Sequence, residues 1–309
     1  MRRHRAQRGV KPSLATHFPS LSKGPDINPE VHMFTEDIHL AIMPIGGRTD
    51  KQKEFAVEFQ GDASDCERAK EIVGELCEFD RYDTAEMVCD AVENIARQLA
   101  WEGQVAFEIM YDEEQIYLNG LTTKNLFKLF NWYLQLIPHS DWDLWKRKFS
   151  FVTKKKIWKL EIPHELGGVW GYKKVLRKLR KYNHIGPDFY RKDLERGITA
   201  KSFDFLKYVR RSEIYFNRVT HTWGWNRRDW SQDKCTEFYS FYKMISFRHA
   251  QAILREYIIE EINRLLNRLS IKCNLIVTGL PTAKEILRIK NDMQKGELSF
   301  TAVSDKIAM

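Results

Sequence analysis

Asp141 and Asp143, on either side of Trp142, come nearest to a metal-binding spacing in this chain. Hard divalent cations take carboxylate oxygens, so such a pair can hold Mg²⁺, but no third acid follows at a useful spacing. Pro187-Asp188 opens like the carboxylate motif of a metal-dependent nuclease, yet no Glu-x-Lys follows on an expected strand. His164-Glu165 follows Pro163 and lacks the second histidine that a zinc helix carries four residues on. Cys235 has no local support as a nucleophile, because Cys–His catalysis rests on a pairing in space. There is no GxxxxGK[ST], no GxGxxG after a strand and no GxSxG. The sequence therefore predicts no enzyme, no cofactor and no metal site. Cys66, Cys77, Cys89, Cys235 and Cys273 form no CxxC pair and read as reduced core thiols of a cytosolic-type compartment.

The residues that do suggest a partner are basic. Lys146, Arg147, Lys148, Lys154, Lys155 and Lys156 interleave with Trp142, Trp145, Phe149, Phe151 and Trp158. Cations beside aromatic rings suit phosphate contacts with stacking. The plainer alternative is a solvated strand face whose aromatics belong to the core. Lys173, Lys174, Arg177 and Lys178, with Arg180 and Lys181, form the polar face of an expected amphipathic helix over 172–182. Its apolar face is Tyr172, Val175, Leu176 and Leu179. The charge is unevenly spread: residues 62–114 carry 16 acids against 4 bases, and residues 146–181 carry 13 bases against 2 acids. The net charge of +8 over 309 residues favours a polyanionic partner, and a two-sided chain suits a stack of copies or a DNA-facing surface.

These residues need elements to hold them. Two strands are expected over 38–45 and 55–59, then a helix from Asp62 with Cys66, Ala69, Val73 and Leu76 on one face. Asp83 or Thr84 caps the next helix, whose seam is Ala85, Val88, Val92, Ile95 and Leu99. Gly103 ends it and the chain passes straight into a hairpin over 105–118. Short strands follow at 133–137, 149–152 and 157–162, with Lys154–Lys156 as a hairpin tip. Residues 184–200 read as a connector and 202–219 as a helix. A long helix over 231–269 spans about 55 Å at ~1.5 Å per residue and calls for a partner helix or subunit. A strand over 274–277 and a helix from Thr282 to Gly296 complete an α+β chain. No segment reaches the ~18 apolar residues of a membrane span, so no membrane is expected. The basic, proline-marked start carries no apolar run of a secretory signal.

The order of elements carries a resemblance. "FAVEFQGDASDCERAKEIVGELCEF" is a strand and an acidic helix; "MVCDAVENIARQLAWEGQVAFEIMYDEEQ" is a helix ending at a glycine and entering a hairpin. "YLQLIP" and "KKIWKLEIPHELGGVWGYKKVLRKL" follow, and "FRHAQAILREYIIEEINRLL" extends the likeness more weakly. This resembles the portal, or head-to-tail connector, proteins of tailed double-stranded-DNA phages. The resemblance implies a stem helix over 84–101, a β-rich clip over 105–162, a returning stem over 172–182 and a wing or crown holding the long helix. It implies no catalytic residues and no cofactor. It implies a homo-oligomeric ring of about twelve subunits in the virion, assembled in the host cytoplasm. Duplex DNA passes through that ring, and terminase, tail-adaptor and capsid proteins are its partners.

The expected divisions are a disordered basic arm over 1–30, a wing-like part over 31–82, stem, clip and returning stem over 83–183, and a mainly helical part over 184–309. Two other readings remain open: a nucleic-acid-binding accessory protein of a mobile element, and a metal-dependent nuclease using Asp141, Asp143 and Asp188.

Overall fold

Asn28 and Pro29 start the first helix. Proline's fixed φ suits the first helical position, and Asn28 Oδ1 accepts from the amides of Glu30 and Val31, both at 3.1 Å. Helix α1 therefore spans Pro29–His39, in a computed structural model that describes residues 28–44, 55–111, 115–121, 123–137, 148–183, 214–225, 227 and 236–307. Two expectations are corrected here. Of the arm expected over 1–30, residues 1–27 lie outside the described residues, and Pro29 begins a helix instead of preventing one. Where a strand is expected over 38–45, residues 38–44 are the last turn of α1 and the bend after it. Phe34, Ile38 and Ile42 are buried at a spacing of four, whereas Leu40, which a strand would place with them, is exposed.

Strand β1 (Ala56–Gly61) pairs antiparallel with β8 (Cys273–Thr278), from Ala56↔Thr278 to Gly61↔Cys273. Helix α2 (Ala63–Leu76) buries Cys66, Ala69, Val73 and Leu76 as its spacing predicts, and Ile72 besides. Asp83 Oδ2 accepts from the Glu86 amide at 2.9 Å and starts α3 (Thr84–Glu102). Val88, Val92, Ile95 and Leu99 of its seam are buried. Gly103 ends α3 at φ 75°, the left-handed region that glycine enters without a Cβ clash.

The chain then makes two three-stranded antiparallel sheets. One has the order β3-β2-β7, from β2 (Gln104–Tyr111), β3 (Ile116–Leu121) and β7 (Ile157–Glu161). The other has the order β4-β5-β6, from β4 (Leu126–Leu129), β5 (Trp132–Leu136) and β6 (Phe149–Thr153). Lys154–Lys156 is a single 3₁₀ turn between β6 and β7. It is not the hairpin tip that the sequence suggests, since β6 pairs with β5 while β7 pairs with β2. Val152 before the turn and Ile157 after it bury into one small core with Ala106, Leu121 and Tyr133, which seals the two sheets together.

Helix α4 (Gly168–Asn183) follows a 3₁₀ turn at His164–Leu166, and Tyr172, Leu176 and Leu179 of its expected apolar face are buried. Residues 214–219 are helical, and the start of the helix expected over 202–219 lies outside the described residues. Trp223 and Trp225 then fold back onto α1 and α4. The Phe34–Trp225 rings lie 5.2 Å apart, the Tyr172–Trp223 rings 5.4 Å apart, and Trp225 Nε1 donates to Asp37 at 2.6 Å. Helix α5 (Glu237–Arg268) is the long helix, about 48 Å at ~1.5 Å per residue, capped by Thr236 Oγ1 accepting from Tyr239 at 3.2 Å. Its partners lie in the same chain: α3, β8 and α6 (Ala283–Gln294). Thr282 and Glu285 cap α6 reciprocally, which holds the Glu285 carboxyl below its usual value. Strand β4 and a last helix, α7 (Phe300–Ile307), are elements the sequence reading missed. The fold is mixed helix and strand, and no helix among the described residues is long and apolar enough to cross a membrane.

Candidate nucleic-acid interface

The turn at Lys154–Lys156 is held from behind by a residue more than a hundred positions away. Arg268, the last residue of α5, donates Nη1 to the Ile157 carbonyl at 3.0 Å and Nη2 to the carbonyls of Lys154 (3.4 Å) and Lys155. A guanidinium's fixed fork of donors suits several carbonyls at once. The backbone is thereby fixed while Lys154, Lys155 and Lys156 are exposed and make no ion pair among the described residues.

A cavity of about 1010 Å³ lies between this turn and α5. Trp132, Tyr133 and Trp158 supply aromatic wall, and Lys154, Lys155, Lys159, Arg264 and Arg268 supply cations. Two of those cations are already neutralised: Lys159 meets Glu161 at 2.6 Å, and Arg264 meets Glu260 at 2.5 Å and also Glu261. Burial, then the Glu161 charge, pushes the Tyr133 hydroxyl up, and Arg268 pulls it back. Trp158 is buried and stacks on Phe107, with centroids 5.3 Å apart. The charge left to attract a polyanion therefore sits on Lys154, Lys155 and Arg268, the last turned toward backbone carbonyls, with Lys156 beside them.

The second basic group is on α4. Lys174, Arg177, Arg180 and Lys181 are exposed, and Lys173 and Lys178 are half-buried. Tyr172, fully buried and with its hydroxyl pushed well up by burial, donates to the Ala100 carbonyl and pins α4 to the end of α3. Asn28 Nδ2 donates to the Arg180 carbonyl at 3.3 Å, and Tyr215 Oη to the Lys178 carbonyl at 2.9 Å, which secures the far end of α4. Strand β7, about 17 Å long at ~3.3 Å per residue, separates the two basic groups along the chain.

Of the other residues singled out by sequence, Lys148 is exposed just before β6, and Lys146 and Arg147 lie outside the described residues. So do Asp141, Asp143, Asp188 and Cys235. His164 and Glu165 are exposed in a 3₁₀ turn. Among the described residues no three His, Cys, Asp or Glu side chains cluster as a metal site would need. The interleaved aromatics divide: Trp158 is core, whereas Phe149 and Phe151 face outward. Sequence reasoning missed the Arg268 clamp and Trp132, since nothing local joins residue 268 to residue 155.

No family model matches the chain, and no curated protein matches it.

Proposed function

We propose that the chain is the structural subunit of a portal-like ring at a phage capsid vertex, conducting duplex DNA during packaging and ejection and docking terminase and tail adaptors. The reading gives the chain no catalysis and places it in the virion after assembly in the host cytoplasm. One observation carries it. Helix α3 enters the strand module through Gly103 and β2, and the module returns through β7 into α4. β2 and β7 are hydrogen-bonded neighbours, from Gln104↔Glu161 to Glu108↔Ile157, and the Ile162 amide donates to the Gly103 carbonyl at 3.0 Å. The module is therefore an insertion whose two ends meet, carried on two helices as a clip is carried on a stem.

The charge supports the same reading. Exposed lysines on a rigid turn and a basic face on α4 offer phosphate contacts without base-reading elements, which suits DNA that must slide. The test is equilibrium binding of the full chain to linear duplexes of unrelated sequence across a salt series. The reading expects an oligomer that binds them all alike and weakens steeply with salt. Binding confined to one sequence, or none at low salt, contradicts it.

A further inference from the structure

The sheet β4-β5-β6 is apolar on both faces. Its inner face buries Tyr133 and Val152 in the small core, with Gln135 at 0% and Ser150 at 3% exposure beside them. Its outer face carries Phe127, Trp132, Leu136, Phe149 and Phe151, each about half exposed. The register packs them into one patch: Leu134 lies between Phe127 and Phe151, and Leu136 lies opposite Phe149. An antiparallel sheet with one wet side normally turns its polar side chains outward. The turn between β4 and β5 adds a second anomaly. Phe130 is 96% exposed and sits at φ 49°, where a bulky side chain is strained. The two-residue turn that joins β4 to β5 calls for a positive φ at its first position, which glycine takes without strain.

The same chain offers a complementary surface. Between the end of α2, residues 77–81 and β3 lies a cavity of about 310 Å³ whose lining includes Glu71, Glu75, Asp80, Phe79 and Arg81, the last paired with Asp90 at 3.2 Å. Phe79 and Tyr82 are exposed. Beside the apolar sheet face stand the exposed lysines Lys128 and Lys148. Apolar side chains flanked by lysines match exposed aromatics flanked by acids. We infer that the outer face of β4-β5-β6 docks on the acidic cavity of a second copy of this chain, so that copies join head to tail.

The contact is heterologous, two different patches meeting, which builds rings or filaments and not a closed pair. Three strands ~4.8 Å apart and four or five residues long make a face of roughly 15 by 17 Å, about 250 Å². Stable pairs bury about 800 Å² per partner, so one such contact is weak and gains strength from the charged surround and from closure of many copies. The inference rests on the ring reading for its biological meaning, but its test does not.

The experiment uses two variants of the full chain and sizes them by analytical ultracentrifugation. Phe130→Gly/Phe151→Thr spoils the sheet face and relieves the strained φ, so folding is kept. Glu71→Lys/Asp80→Lys spoils the acidic side. Each variant alone should self-associate at least tenfold more weakly than the parent, and mixing them should give a one-to-one heterodimer, since each retains one intact surface. Assembly of the parent with no heterodimer on mixing overturns this docking and leaves the ring reading standing. A heterodimer, with a parent that grows only open chains, upholds the docking and removes the ring. A parent that stays monomeric at every concentration overturns both. Should either variant melt early, Phe130→Gly alone, which can only ease the backbone, must still weaken assembly.

Discussion

Replacing Lys154, Lys155 and Lys156 together by glutamine removes three charges from a turn whose shape does not depend on them. All three side chains are exposed, and the turn's carbonyls are held by Arg268. A protein that neutralises Z phosphates loses affinity with a slope of about 0.9Z in log salt. If each lysine meets one phosphate, the slope falls by about 2.7. Over a fourfold salt change, from 50 to 200 mM, the parent then loses roughly 40-fold more affinity than the variant. Fluorescence anisotropy with a labelled 30-bp duplex, at four or five salt concentrations, reads the slope directly. A thermal melt of both proteins checks the fold, and the two midpoints should agree within about two degrees, as expected of surface changes. An unchanged slope, with DNA still bound, refutes the placing of phosphate on this turn. A midpoint lowered by several degrees refutes the claim that the turn's shape does not depend on these charges.

Other consequences follow from single residues. Arg268→Met releases the carbonyls of Lys154, Lys155 and Ile157 and should cost about 1–2 kcal/mol in urea unfolding, while flattening the salt response less than loss of the lysines does. Lys243, buried on α5, has its ammonium brought down from 10.5 to about 8, first by burial and then by the Lys290 charge. The folded protein therefore holds that proton less tightly than the unfolded chain does, and this group lowers stability as pH falls from about 10.5 through 8. Lys243→Met should raise stability at pH 7 by about 1–3 kcal/mol, with the gain shrinking between pH 8 and 10.5; a gain that is constant with pH contradicts the burial argument. Gly224, at φ 68°, leaves no room for a Cβ, which would stand 2.4 Å from the Ser246 Cβ and 2.8 Å from the Phe247 amide. Gly224→Ala should cost about 3 kcal/mol or more and loosen the Trp223–Trp225 corner, seen as a red shift in tryptophan fluorescence.

Where short-range chemistry decides, the sequence was legible. Asp83, a 3/4 apolar seam and Gly103 place α3, and Thr282 places α6. The expected apolar faces of α2 and α4 are buried. Where two periods fit the same residues, it misled: Ile38 and Ile42 satisfy both alternation and helical spacing, and Pro29 as a helix starter settles the matter. Where distant partners decide, it was silent. β1 finds β8 more than 200 residues on, and Arg268 turns an apparent hairpin into a corner between two sheets. The site was legible only in part for the same reason. The lysines show themselves by composition, but the clamp behind them does not. The outward aromatics of β6 look in sequence like any core alternation, and only the register beside Gln135 and Ser150 shows which face is wet.

The measurement nearest the central claim is an image of the full-length chain, by negative stain with mass photometry in parallel, in the presence and absence of linear duplex DNA. The account predicts closed rings of about twelve copies with the duplex along the axis. A stable monomer or dimer across salt and protein concentration contradicts it.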